Sequence, residues 1–388
     1  MILAKVASIV FGIALIGSVL ISALETVVLP RDGFTRITRF VFAIADRLLI
    51  HRWRSKERRA NLRALYAPIS LTSLPLVWMI SVAIGFTFIY WGVGTGSFQD
   101  AFEVSGSSLT TLGFSRPDGA VRIWLAFVEA IIGLGLVALL ISYLPTIYSA
   151  HHQREKGMIV LRPFAGTPPS PIDLLVNLDR VDSLENLELW RTAASWLLEL
   201  DQTHSAFPAL CYFPESSAAQ SWVASVGTIL DAAALLVSVS DFRHHEHAPN
   251  RTRGPILVLV QGVQGLARIA RSSGLPIDPP RSLYDLLDSA SEEPPPQSVL
   301  RTEYLDAVDR ISSFIPEAAT ADRETCWRRF AWIRSTYDRS LRGLAGLTMG
   351  PPAEWTTDRP AKVGRPRLLV ARPLTVNWLE GSPSPKSR

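Results

Sequence analysis

Cysteine is scarce in this chain: Cys211 and Cys326 are the only two in 388 residues, and they stand in no ligand spacing. That excludes a disulfide framework and leaves both as ordinary buried thiols. No β-rich stretch is present, and the pattern reads as helical throughout. Gly262-Val263-Gln264-Gly265 opens no G-x-G-x-x-G motif and follows no strand–helix alternation, which excludes a Rossmann nucleotide site. Nucleophile–base pairs are lacking as well. His204 and Cys211 flank the apolar run Phe207-Pro208-Ala209-Leu210 and read as core or cap residues, so no enzyme is expected. After residue 150 no segment is both long enough and free enough of charge to cross a membrane.

Before residue 150 the picture reverses. Three apolar segments fall at about 6–29, 69–93 and 122–148. Each approaches the roughly 20 residues an α-helix needs to cross a bilayer core. The first 150 residues therefore read as membrane and the remainder as a soluble domain with a tail. Val6–Leu24 is uncharged, and a secretory signal peptide competes with a retained helix there. The following loop favours retention. Across 31–67 it carries Arg31, Arg36, Arg39, Arg47, Arg52, Arg54, Lys56, Arg58, Arg59 and Arg63 against Asp32, Asp46 and Glu57. Such a loop stays in the cytoplasm, which puts the N-terminus outside. Within it, Ile37, Phe40, Ile44 and Leu48 recur at helical spacing among arginines. They predict either an amphipathic helix on anionic lipid or a solvated basic connector.

The second segment, Ile69–Val93, has Pro68 suited to a helix start and Pro75 placed to kink it. Trp78, Tyr90 and Trp91 suit the interfaces. The connector to the third segment, Arg122–Tyr148, is too long for a tight turn and too apolar for an ordinary external loop. Ser97 followed by Asp100 resembles a capping box. Phe98, Ala101, Phe102 and Ser105 then share a face, which predicts a helix ending near Ser108. Leu109-Thr110-Thr111-Leu112-Gly113-Phe114 follows as expected extended backbone. Carbonyls aimed at a shared axis can replace a cation's hydration shell, and Gly113 supplies the dihedral freedom for such a turn.

Helix, short helix, Thr-Thr-Leu-Gly-Phe, helix resembles the pore module of the tetrameric potassium channels, whose filter reads Thr-Val-Gly-Tyr-Gly, often followed by Asp. Thr111, Leu112, Gly113 and Phe114 match its first four positions, and Thr110 matches the threonine common just before them. Ser115 stands where the second glycine is expected and Arg116 where the aspartate is expected. Four Arg116 side chains at a pore mouth would repel cations, unless each is neutralised by Asp118 or Glu103. The resemblance covers about residues 69–150. It implies a homotetramer enclosing one pore, because this chain has one loop where the Trk and Ktr uptake systems, which also use single-glycine filter loops, place four.

In the third segment Gly133 or Gly135 resembles the family's hinge glycine, or allows close helix packing. Pro145 lies where it could bend or stop the helix. Glu129, an acid inside a membrane helix, is a functional suspect, and filter support through Ser105–Thr110 or Arg122 is the favoured role.

Beyond a Pro- and Gly-rich linker at Pro163–Pro171, helices are expected at Leu184–Leu200, Ser221–Val239, Pro255–Arg271, Val299–Phe314 and Ala319–Leu344, with a short one around Tyr284–Leu287. The helix 319–344 reads as a packed helix and not as a nucleic-acid reader. His244, His245 and His247 with Asp241 and Glu246 read as a solvated loop in preference to a metal site. The tail after Gly350, rich in Pro and Arg, reads as disordered.

The expected fold is therefore an all-α membrane protein. It has an N-terminal transmembrane helix (1–30), a basic amphipathic cytosolic loop (31–67) and a pore module with a re-entrant helix and filter loop between its two spanning helices (68–150). An all-α cytosolic domain (151–350) and a disordered tail (351–388) follow. The expected function is a homotetrameric cation channel of the inner membrane, with potassium as permeant ion, no cofactor and no metal. The alternative is a non-conducting scaffold or sensor that signals through its cytosolic helices.

Overall fold

A computed structural model describes residues 2–27, 56–181, 184–213, 221–240, 250–280, 294–348, 350–363 and 376–377. The basic segment around Ile37, Phe40, Ile44 and Leu48, the histidine cluster at 241–247 and the stretch around Tyr284–Leu287 lie outside the described residues. Among the described residues the chain is helical, apart from a two-residue antiparallel pairing of Lys362–Val363 with Val376–Asn377. The described chain divides into two compact units at Ser149/Ala150.

The first unit contains α1 (Ile2–Val27), α2 (Lys56–Gly92), α3 (Phe98–Leu109) and the first part of α4 (Ala120–Ala165). α1 and α2 pack antiparallel, with Lys5 and Ile9 against Gly92 and with Gly12 and Ile16 against Gly85. The backbones meet closely: a Cβ on Gly12 would lie 2.5 Å from the Gly85 carbonyl oxygen. Small residues permit such an approach where no hydrophobic drive separates helix from lipid. Ser8 ties the pair by donating to Phe88 O at 2.5 Å. The buried side chains between them are Val19, Ala23, Leu74, Trp78, Val82 and Phe86.

The expectation for Pro68 needs correction, and of the two alternatives for Pro145, bending or stopping the helix, stopping is excluded. α2 begins at Lys56, so Pro68 lies inside a helix and does not start one. α4 continues through Pro145 to Ala165. A proline deletes one backbone hydrogen bond, and the helical sequence on both sides carries the chain across it. The 46 residues of α4 are more than twice the roughly 20 that a helix needs to cross a bilayer core.

The second unit surrounds α7 (Trp222–Val239), every residue of which is buried. This corrects a further expectation. Four described helices, at 2–26, 73–92, 120–165 and 222–239, are long and apolar enough to cross a membrane, and the fourth lies beyond residue 150. It is enclosed by protein: α5 (Pro171–Arg180), α8 (Asn250–Ser272) and α11 (Arg323–Thr348) pack on it. α6 (Leu187–Ala206) lies against α8, and α9 (Arg301–Ile311) against α5, α11 and the short α10 (Pro316–Thr320). α5 occupies sequence that carried no helix expectation. Ser170 caps it and Pro171 opens it.

Asp231, the only charge on α7, is wholly buried. It accepts from the Tyr337 hydroxyl at 2.7 Å and pairs with Arg334 at 3.3 Å, both on α11. Arg334 also donates to Trp355 O at 2.5 Å. Trp355 is buried, Ala361 N–H donates to Arg342 O at 3.0 Å, and Arg359 pairs with Glu303 at 2.9 Å. Residues 351–361 are thus packed against α11 and α9, and the disordered tail expected from 351 does not begin there.

Candidate functional site

The candidate site is α3 with the segment 110–118 that follows it. α3 starts at a capping box. Ser97 Oγ accepts from Asp100 N–H at 3.2 Å, and Asp100 Oδ2 accepts from Ser97 N–H at 2.7 Å. Its buried face is Ala101, Val104, Ser105 and Leu109. Phe98 and Phe102, expected on that face, are exposed; Phe98 sits edge-on to Phe88 and Trp91 of α2.

The C-terminal end of α3 is closed differently from the extended run expected over 109–114. Leu109 ends the helix, Thr110 keeps helical angles (φ −83°, ψ 0°), and Thr111 is left-handed at φ +57°. Thr111 N–H donates to Ser108 O at 3.1 Å and Leu112 N–H to Ser107 O at 3.0 Å. These two bonds make a Schellman motif with threonine where glycine is usual. The helix's last carbonyls lack intrahelical donors, and this turn satisfies two of them. Non-helical backbone proper therefore begins at Leu112. Gly113 is left-handed at φ +71° with open space where a side chain would stand, so its requirement is the dihedral angle and not room.

Ser107 is a hub that sequence reading missed. It is buried, its carbonyl accepts from Leu112 and Gly113 N–H, and its Oγ accepts from Ser115 N–H at 3.0 Å. Ser115, at the second-glycine position, is not among the residues with positive φ. Nothing in the run Ser105-Gly106-Ser107-Ser108 marks which serine serves as acceptor.

Thr110, Thr111, Leu112, Gly113 and Phe114 are all exposed, Leu112 at 70% and Phe114 at 68%. The Thr110 hydroxyl turns back to Gly106 O at 2.5 Å. Arg116 and Asp118 are exposed, and among the described residues neither is held in an ion pair.

Glu129 and Gly133 bring α4 onto α3. Glu129 is fully buried with Oε1 2.5 Å from Ser105 Oγ, inside the range of partners expected for it. Ser105 Oγ also lies 2.9 Å from Ala83 O of α2, so three helices meet at one hydroxyl. The Tyr90 hydroxyl of α2 lies near the same carboxyl group without forming a hydrogen bond to it. A Cβ on Gly133 would lie 2.4 Å from Leu109 O, so this glycine is a close-approach point. Gly135 has nothing within 4 Å of its Cβ position. Much of the rest of α4 is open: Trp124, Phe127, Ile131, Leu134 and Ile141 are exposed.

Among the described residues no group of three or more His, Cys, Asp or Glu side chains is placed to hold a metal ion. No family model, no curated protein and no solved structure matches the chain.

Proposed function

We propose that the chain is one subunit of a homotetrameric cation channel that conducts potassium, with the backbone of Thr111–Phe114 as the filter. The observation that carries this reading is the setting of Leu112–Phe114. It is exposed, non-helical and apolar, and it follows a helix held between two helices of membrane length. Non-helical backbone at membrane depth is tolerated only when covered by protein or lining a water-filled cavity. Symmetry-related copies around an axis supply both. α3 then re-enters the bilayer from outside and aims its partial negative end inward, as a cation requires. α1, α2 and α4 span the inner membrane with the N-terminus outside, the second unit is cytoplasmic, and the basic segment 31–67 lies on anionic lipid.

One set of observations favours a non-conducting scaffold that signals through its helical second unit. The Schellman turn uses the Ser107 and Ser108 carbonyls, and Arg116 is exposed without an ion pair among the described residues. Two measurements separate the readings: thallium or rubidium flux into liposomes holding the purified chain, and cross-linking in the same liposomes. The channel gives flux and tetramers. A scaffold gives folded protein without flux, and assembly no larger than a dimer would contradict the shared filter.

A further inference from the structure

Ser105 has one hydroxyl proton and two oxygen neighbours. Ala83 O, on α2, lies 2.9 Å from its Oγ, and Glu129 Oε1, on α4, lies 2.5 Å from it. A carbonyl oxygen only accepts hydrogen bonds, and so does an ionised carboxylate. One proton cannot serve both contacts. With Glu129 ionised, one short oxygen–oxygen contact would have no hydrogen in it. With Glu129 protonated the chain of donors closes: Glu129 Oε1–H donates to Ser105 Oγ, and Ser105 Oγ–H donates to Ala83 O. Ala83 O already takes a side-chain bond from the Thr87 hydroxyl at 2.7 Å, so it supplies no proton of its own.

The surroundings agree. Glu129, Ser105 and Tyr90 are all fully buried. The groups facing the carboxyl are Ser105 from α3 and Tyr90 from α2, with Ser108 of α3 beside the Tyr90 hydroxyl; among the described residues no cationic side chain faces it. A buried carboxylate without a cation is strongly disfavoured, and a neutral acid that donates a hydrogen bond is not.

We infer that Glu129 is a neutral carboxylic acid whose proton completes the hydrogen-bond chain from α4 through Ser105 of α3 to α2, so that losing the proton leaves one of the two contacts without a hydrogen and loosens the helix carrying the filter segment. Glu129 is a positioning residue here: it touches no ion. The step is a simple ionisation, with the proton passing from Oε1 to solvent base. The protonation state stands on the hydrogen-bond inventory alone, whereas its effect on flux rests on the channel reading.

The test uses the full chain in liposomes. Infrared spectra at neutral pH should show a neutral carboxylic-acid carbonyl stretch that disappears in Glu129→Gln. In Ser105→Ala it should persist but move to higher frequency, because its acceptor is gone. That second variant decides the matter if Glu129→Gln does not fold. Potassium-analogue flux should fall about tenfold between neutral and strongly alkaline pH in the native chain and stay level in Glu129→Gln, which keeps a donor at that position. A native spectrum with no such band, or one unchanged by both variants, overturns the inference. A band that titrates while native flux stays level overturns the loosening. A band with no flux at any pH leaves the neutral acid standing and removes the channel reading instead.

Discussion

The Ser115 backbone N–H donates to the Ser107 side chain, eight residues earlier, at 3.0 Å. This bond fastens the far end of the 110–114 segment to the last turn of α3, while the Ser107 carbonyl fastens its near end through Leu112. Ser107→Ala removes the acceptor and leaves the N–H unpaired. The expected cost is about 1 kcal/mol, read as a lower Tm in detergent and faster amide exchange at Ser115. Exchange at Ser115 unchanged from the native chain would show that the bond does not hold the segment.

Thr111 carries strain that glycine would not. A β-branched residue at φ +57° is an outlier, with a left-handed penalty of about 1–2 kcal/mol. Thr111→Gly should therefore raise the thermal stability of the protomer by about 1 kcal/mol after allowing for the entropy of glycine in the unfolded chain. Thr111→Asn should give a smaller gain. A loss of stability in both would contradict the left-handed turn.

Gly133 and Gly135 are two residues apart and should respond oppositely. A methyl group on Gly133 meets the backbone carbonyl of Leu109, which cannot swing away, whereas one on Gly135 meets nothing in the protomer. Gly133→Ala should cost about 1–3 kcal/mol, the range for overpacking. Gly135→Ala should leave the unfolding curve unchanged. Equal effects would remove the close contact between α4 and the end of α3.

These contrasts show where sequence was informative. The capping box at Ser97 and Asp100 and the helix from Phe98 were legible because cap chemistry and spacing are local. The apolar helices were legible from their length. Thr111 was not, because threonine gives no turn signal and the structure overrides its preference with two backbone bonds. The reach of α4 beyond Pro145 was hidden because a single proline weakens a helix without ending it. The helix at α7 was expected, but its setting was hidden: full burial inside helices and membrane insertion both call for an apolar run, and Asp231 reveals its setting only once Arg334 and Tyr337 are seen beside it. The packing of Trp355 depends on partners far away in sequence, which composition cannot supply.

His204, in the second unit, gives the protein an acid limit. It is fully buried, with Nδ1 3.1 Å from Leu200 O and its ring on Trp222. Burial, followed by the nearby Arg154 charge, holds its titration well below the ordinary histidine value. The unfolded chain therefore binds a proton below about pH 6.5 that the folded chain refuses. Stability contributed by His204 is complete above that pH and lost as pH falls, with a slope approaching about 1.4 kcal/mol per pH unit. Denaturant unfolding of the full chain between about pH 6.5 and 5 should show this slope. His204→Phe, which keeps the ring contact, should flatten it; an equal slope in the variant would assign the effect to another group.

In the proposed channel the Thr111–Phe114 backbone conducts cations. Rubidium uptake into potassium-loaded liposomes holding the purified chain tests it most directly, with native protein measured beside Gly113→Pro and Arg116→Asp. A conducting filter predicts uptake in the native protein and loss in Gly113→Pro, whose ring cannot adopt the left-handed φ of +71°. It also predicts an increase in Arg116→Asp that is largest at low salt, where an exposed charge acts over the longest distance. Well-folded tetramers that take up no rubidium across a range of pH and voltage would contradict it.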